Sequence, residues 1–208
     1  MGEEIPQTYL KIEQSILSMR EEFKSLPLMK LKEEFLPRIK KDHQIEEEEI
    51  KRAVSLLHSW GECIHFESSP ILSEYIILDP AFLTQEILSS LFHPDYKNFF
   101  PNGRLNHQDL KFIWPKYQDK SAFLIALMEK FEVCFELNPN SSEDFFSRES
   151  IITSYLPEDP PEEFTSNWTE ACPKDTYQLS NKYQFNIIPK ELVSRLLVRD
   201  EVFRFLLL

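Results

Sequence analysis

Glycine is scarce in this chain of 208 residues, which contains only Gly2, Gly61 and Gly103. A loop that cradles phosphate needs several glycines close together, because its backbone has to approach the phosphate oxygens. Three glycines spaced this far apart exclude a P-loop, a dinucleotide-binding fingerprint and a kinase glycine loop. Any nucleotide chemistry must belong to another segment or another chain, so we expect no cofactor-binding residue here.

Cysteine and basic charge are also in short supply. Cys63, Cys134 and Cys172 form an odd set without paired spacing, which indicates a reducing compartment. The formal net charge of −12 argues against nucleic acid and anionic membranes as partners. No apolar run reaches the length of a membrane span, and the acidic start is unlike a signal peptide. We therefore predict a cytoplasmic protein without a transmembrane segment.

No residue pattern indicates catalysis or metal binding. Cys63, His65 and His58 come nearest to a zinc set, but a tetrahedral site needs a fourth ligand and none is close in sequence. No nucleophile elbow or other signature of covalent catalysis appears. We predict no catalytic and no metal-binding residue, with Cys63 in the core and the histidines capping helices or facing solvent.

The stretch YIILDPAFL, residues 75–83, raises the question whether Asp79 is a buried catalytic carboxylate. The apolar residues before it suit a short buried strand. Asp is a preferred helix N-cap, and Pro80 stands where a missing N–H costs nothing. We therefore predict that Asp79 and Pro80 start a helix of about a dozen residues.

Apolar spacing predicts further elements in the first half of the chain. Helices are expected at 8–24, at 33–42 with Pro37 bending the helix or displacing its start, and at 44–61. Short strands are expected at 28–32, 62–68 and 75–78, the last two forming a hairpin. The face of the first helix carries Tyr9, Ile12, Ile16, Met19 and Phe23. Core packing is expected for the aromatic residues at helix ends, Trp60, Trp114 and Phe131.

The same order of helices and strands recurs in the second half, as a comparison of LLHSWGECIHFE with LMEKFEVCFEL indicates. We predict an α+β, mostly helical fold of two tandem winged-helix-like units, about 8–92 and 103–156, each with helices closed by a short β-hairpin.

The remaining chain has a different composition. Residues 157–175 are acidic and proline-rich, which predicts a surface loop. Residues 183–188 predict a strand. Residues 190–208 predict a helix with a wide apolar face, in which Leu196, Leu197, Phe203 and Leu206 are candidate partner-interface residues. An apolar end of this kind leads us to expect that the chain is cut from a longer protein or docks on a partner.

In this order, the motifs resemble a COR domain, the module C-terminal of the Roc GTPase in Roco proteins such as leucine-rich repeat kinases. The resemblance rests on IPQTYL, LLHSWGECIHF, YIILDPAFL, GRLNHQDLKFIW, LIALMEKFEVCFEL, SYLP and YQFNIIPKELVSRLLVR. It implies that 1–156 is the first COR subdomain and that 176–208 opens a truncated second one.

The resemblance also implies partners and a role. A Roc G domain carrying GTP is expected just before Ile5, and a Ser/Thr kinase domain is expected in some relatives after COR. The family couples GTP state to dimerisation with a second COR copy and to signalling, so this segment would be a non-catalytic relay module. The alternative is a free-standing winged-helix adaptor or nucleic-acid-binding protein, which a P-loop encoded upstream of Ile5 would exclude.

Overall fold

A computed structural model describes residues 6–138, 144–157 and 184. Its helices are α1 (Gln7–Glu22), α2 (Leu36–His43), α3 (Glu47–Ser59), α4 (Ser89–Leu91), α5 (Leu110–Ile113) and α6 (Ser121–Lys130). Its strands are β1 (Leu28–Lys30), β2 (Tyr75–Ile77), β3 (Arg104–Asn106), β4 (Cys134–Glu136) and β5 (Glu149–Ile152). Helices with small antiparallel sheets confirm the α+β, mostly helical prediction.

The described residues fall into two compact units that interleave along the chain. The first contains 6–96 and 111–127, and the second contains 97–110 with the described residues from 128 onward. The predicted units, 8–92 and 103–156, are contiguous, and they differ from this division because 111–127 groups with the first unit.

The core of the first unit forms where the apolar faces of α1, α2 and α3 meet. Ile12, Ile16 and Met19 of α1 are buried, and Tyr9 and Phe23 pack partly buried against the same core. The other buried members on these helices and on the π-helical turn before α2 are Leu31, Phe35, Leu36, Ile39, Ile50, Ala53, Val54 and Leu57. Each large apolar side chain buried in this way contributes about 1.5–3 kcal/mol.

The ends of α2 and α3 follow from local chemistry. Pro37 lies in the first turn of α2, which begins at Leu36 and follows a π-helical turn at Leu31–Phe35. The start of this α-helix is therefore displaced from the predicted residue 33 to Leu36. Acidic residues fill the first turn of α3, where their negative charge interacts favourably with the positive end of the helix dipole. Hydrogen bonds from Lys40 and Lys51 lower the pKa of Glu47 to about 2.

The sheet of the first unit differs from the predicted hairpin. β2 pairs antiparallel with β1, with Leu28 opposite Ile77 and Lys30 opposite Tyr75. The predicted strand 62–68 is reduced to one bridge, in which Ile64 and Ile77 exchange hydrogen bonds of 2.9 Å. Beside this bridge, the Tyr75 carbonyl accepts a hydrogen bond from His65 Nδ1 at 2.9 Å.

The sheet of the second unit has the order β3-β5-β4 and is antiparallel throughout. Cys134 lies opposite Ile152 and Glu136 opposite Ser150, as expected for a returning hairpin. In both sheets the last strand therefore lies between the first strand and a segment that follows a helix, Ile64 after α3 and β4 after α6.

Three predicted segments fall almost wholly outside the described residues. They are the surface loop at 157–175, the strand at 183–188 and the helix at 190–208. Residue 157 is described and is exposed.

Candidate functional site

The turn at Asp79 joins β2 to the next helical segment. The Asp79 carboxylate accepts a hydrogen bond from the backbone N–H of Ala81 at 3.0 Å, and its carbonyl accepts one from Phe82 N–H at 3.1 Å. This is the geometry of an N-cap. A capping role for Asp79 and Pro80 stays a prediction, which a substitution can test.

The helical segment that starts at this turn is anchored by aromatic side chains. Phe82 is buried and meets the ring of Tyr117 edge to face at 5.4 Å. Trp114 is also buried, and its indole N–H donates to the carbonyl of Ile87 at 3.2 Å. A buried indole or phenol needs such a partner for its polar atom. These contacts belong to packing, not to a reactive site.

Arg20 of α1 ties this turn to the end of α3. Its Nε donates to the carbonyl of Leu78 at 2.6 Å, and its guanidinium also donates to the carbonyl and the carboxylate of Glu62. One planar fork thereby satisfies two backbone carbonyls in neighbouring segments. Sequence reasoning missed this residue, because a lone arginine on an amphipathic helix carries no signal for the two partners.

His107 is the second residue that sequence reasoning missed. It is completely buried in the second unit; Nδ1 lies 2.9 Å from the carbonyl oxygen of Phe145, and Nε2 lies 2.8 Å from Ser150 Oγ. His65 is buried as well, so the expectation that the histidines cap helices or face solvent is wrong for these two. The ring of His65 bonds the carbonyl of Tyr75 in β2, and the ring of His107 bonds the carbonyl of Phe145. These partners depend on how the chain folds back, which the sequence around each histidine does not reveal.

The Ser150–His107 pair has the spacing of a nucleophile and its general base. Both residues are 0 % exposed, so no substrate can reach the hydroxyl in this conformation. The pair therefore acts as a structural hydrogen bond that links β5 to the end of β3.

A charged pair lies close to His107 in the same sheet. Arg148 donates to Glu136 at 3.0 Å, and the side chain of Glu136 is only 11 % exposed. The backbone N–H of Glu136 also donates to the carboxylate of Glu129 at 2.6 Å. Breaking a pair this buried leaves an uncompensated charge, so it restricts how the hairpin can rearrange.

The described thiols are poor nucleophiles. Cys63 and Cys134 are buried thiols, and burial was predicted for Cys63. Burial raises the pKa of Cys63 to about 12 and raises the pKa of Cys134 well above its ordinary value. The thiolate is the reactive form, and neither residue supplies it near neutral pH.

Two of the three aromatic residues expected in the core are exposed. Trp114 is buried, but Trp60 and Phe131 are 47 % and 45 % exposed. Each stands after its helix has ended, at Ser59 and at Lys130. A residue beyond the last helical turn does not continue the buried face of its helix, so the expectation of core packing is wrong for Trp60 and Phe131.

Within residues 6–138 and 144–157, no group of His, Cys, Asp and Glu is arranged to hold a metal ion. None of the helices described there is both long enough and apolar enough to cross a membrane. The candidate interface residues, Leu196, Leu197, Phe203 and Leu206, lie outside the described residues.

Comparison with known proteins identifies the family. The family model of the COR-A domain, described as C-terminal of Roc, matches residues 6–156. The chain is 34 % identical over 203 residues to "Probable serine/threonine-protein kinase pats1" of Dictyostelium discoideum, covering 96 % of this chain and 6 % of the kinase. It is 36 % identical over 163 residues to "Probable serine/threonine-protein kinase roco11" of the same organism, covering 74 % of this chain and 10 % of that protein.

The fold also has a solved counterpart. The structure of Roco2 RocCORdC from Methanosarcina barkeri, bound to GDP, matches with a TM-score of 0.54 at 16 % identity, over 73 % of this chain and 44 % of that one. At this identity the match shows the fold alone. The chain spans a small part of its kinase relatives. The family model and these relatives show that it belongs to the COR-A family of Roco proteins.

Proposed function

We propose that this chain is a non-catalytic interaction and relay module of a Roco-type GTPase or GTPase-kinase, which couples a Roc G domain to dimerisation and downstream signalling. The observation that carries this proposal is the COR-A match over residues 6–156. Its polar network is consistent with this role, because Arg20, His107 and Glu136 all bind partners within the fold.

Nucleotide chemistry belongs, in this proposal, to a Roc domain that precedes Ile5 in the same chain. The family description places COR-A C-terminal of Roc, and the Roco2 RocCORdC structure is bound to GDP. Two relatives are named as probable serine/threonine kinases, which supports a kinase domain in the parent protein. We also propose a cytoplasmic location, which the reduced, buried thiols of Cys63 and Cys134 support.

We propose further that the chain consists of two tandem winged-helix-like units. Within residues 6–138 and 144–157, the order helix, strand, helix, helix, strand, strand occurs twice when the bridge at Ile64 is counted as a strand, the second of three along the first repeat. The last strand takes the inner position in both sheets, which supports the repeat.

The alternative of a nucleic-acid-binding winged helix is not favoured. Such a protein presents a basic recognition helix to the phosphate backbone. Here the third helix of the first repeat, α3, begins with Glu47, Glu48 and Glu49, and its Lys51 is held by Glu47 at 3.0 Å and by Glu48 at 3.2 Å. The net charge of −12 opposes DNA binding further.

Dimerisation is proposed to involve the segment 190–208, which would open the second COR subdomain. Its apolar residues Leu196, Leu197, Phe203 and Leu206 could cover the matching face of a second copy. Burial of four such side chains supplies several kcal/mol at about 1.5–3 kcal/mol each, and the cost of association offsets part of it. Weak self-association is the expected result.

The direct test of a non-catalytic module is nucleotide binding by the chain alone. Calorimetry of residues 1–208 with GTP, GDP and ATP should give no binding heat, because the three glycines cannot form a phosphate loop. Binding of any of these nucleotides at micromolar concentration would contradict the proposal.

A further inference from the structure

His107 connects the end of β3 to an arm, residues 144–148, that leads into β5. Its backbone N–H donates to the carbonyl of Arg148 at 3.0 Å, and its Nδ1 lies 2.9 Å from the carbonyl of Phe145. The ring also packs against the ring of Phe145, with centroids 4.4 Å apart. The fourth contact runs from Nε2 to Ser150 Oγ in β5, at 2.8 Å.

These partners determine where the proton of the neutral ring lies. A carbonyl oxygen can only accept, so Nδ1 must carry the hydrogen that it donates to Phe145. Nε2 then has a free lone pair, which accepts the hydroxyl hydrogen of Ser150. The neutral ring thus satisfies both of its nitrogens at once.

A second proton disturbs this arrangement. It would occupy the lone pair of Nε2, so the Ser150 hydroxyl would lose its acceptor and would have to turn to accept instead. It would also place a positive charge on a ring that is 0 % exposed, and an isolated buried charge is costly.

The charged groups around the ring do not offset this cost. Glu136 of β4 and Glu149 of β5 attract a charged ring, whereas Arg148 repels it. The two carboxylates are already paired, Glu136 with Arg148 and Glu149 with Arg104. Burial is accordingly the largest cause that lowers the pKa of His107 from its ordinary 6.5, although the Phe145 carbonyl and Glu136 act in the opposite direction.

We propose that His107 is a pH-sensitive latch: the neutral ring holds the arm 144–148 against the end of β3, and protonation of the ring releases it. This inference goes beyond the relay function, since it gives the second unit a response to acidification that does not involve nucleotide.

Linkage fixes the direction and steepness of the response. The ring binds its proton more weakly in the closed arm than in an open, hydrated one, so the open form gains protons as pH falls. The latch is fully closed above the ordinary pKa of 6.5. Below it, the opening equilibrium constant should rise by about tenfold per pH unit, until pH reaches the lowered pKa of the closed form.

The test is amide hydrogen exchange of the full 208-residue chain from about pH 5 to about pH 8, across the range where histidine titrates. The His107 amide, which is bonded to Arg148, reports the arm, and the Ile64 amide, which is bonded to Ile77, is the reference in the first unit. After correction for intrinsic exchange, the protection of the His107 amide should decrease as pH is lowered below the ordinary histidine pKa, by about tenfold per pH unit. The protection of the Ile64 amide should stay constant over the same range.

Two variants separate the latch from other titrating groups. His107→Asn keeps a donor near the Phe145 carbonyl but does not titrate, so the pH dependence of the arm should disappear. His65→Asn is the matched control, because His65 Nδ1 also donates to a carbonyl, that of Tyr75, and it should leave the dependence unchanged.

The result that overturns the latch is protection of the arm that is independent of pH in the wild-type chain, or a dependence that persists in His107→Asn. If that variant does not fold, nitrogen-15 NMR of the His107 ring in the wild-type chain provides the test. Protonation of His107 and opening of the arm must share one midpoint, and separate midpoints refute the proposal.

Discussion

Gly61 and Glu132 occupy the same place in two equivalent helix ends. Gly61 has φ 79° and Glu132 has φ 61°. In each case the residue's N–H bonds the carbonyl three residues back, and the following N–H bonds the carbonyl five residues back, Leu57 for the first and Met128 for the second. Both turns are Schellman motifs, and they end α3 and α6 just before Cys63 and Cys134.

The left-handed backbone at Glu132 predicts that glycine is preferred to alanine at this position. Glycine adopts this conformation without steric cost, whereas other residues lose about 1–2 kcal/mol there. Glu132→Gly should therefore be more stable than Glu132→Ala by about 1 kcal/mol, as measured by urea unfolding. The alanine variant removes the same side-chain interactions, so equal stabilities for the two would show that the turn relaxes elsewhere.

Gly103 should tolerate a side chain less well than Gly61. Both have φ 79°, but an added Cβ at Gly61 meets nothing within 4 Å, whereas at Gly103 it comes within 3.2 Å of Ile152 O and of two atoms of Leu156. Gly61→Ala should cost about 1–2 kcal/mol from the backbone alone, and Gly103→Ala should cost clearly more. Urea midpoints in the opposite order would contradict the packing described around β5.

Phe82 and Asp79 should contribute unequally to stability. Phe82→Ala removes a buried ring that packs on Tyr117, and we expect a loss of about 3–5 kcal/mol. Asp79→Ala removes one hydrogen bond to Ala81, and we expect a loss of about 1 kcal/mol, as for a helix cap. A larger loss for Asp79 in urea melts would mean that its carboxylate has a role other than capping.

The apolar C-terminal segment should mediate self-association. Sedimentation of the 208-residue chain should show weak, concentration-dependent dimers, and deletion of 190–208 should yield a monomer that remains folded by circular dichroism. As a milder change, Leu196→Ser combined with Phe203→Ser should weaken dimers without removing the segment. If the deletion unfolds the protein, the segment belongs to the core and the proposed interface is wrong.

Local features of the fold could be predicted from the sequence. The apolar face of α1 lies at the predicted positions, because a period of 3.6 residues depends only on the helix itself. The hairpin of β4 and β5 is likewise a local motif of neighbouring strands.

Long-range choices could not be predicted in the same way. β2 had two possible partners, and the apolar pattern of YII does not tell β1 from the segment 62–68. The burial of His107 depends on a carbonyl and a hydroxyl that are 38 and 43 residues away. Trp60 was misplaced since the helical period was extended one residue beyond the end of α3.

The coupling of this domain to a G domain is the central claim, and binding measured in two nucleotide states tests it most directly. The G domain encoded directly upstream of Ile5 would be titrated into residues 1–208, first loaded with GDP and then with a non-hydrolysable GTP analogue. A relay module must bind the two states with different affinities, by about fivefold or more. Equal affinities, no binding, or an upstream sequence without a P-loop would contradict the account.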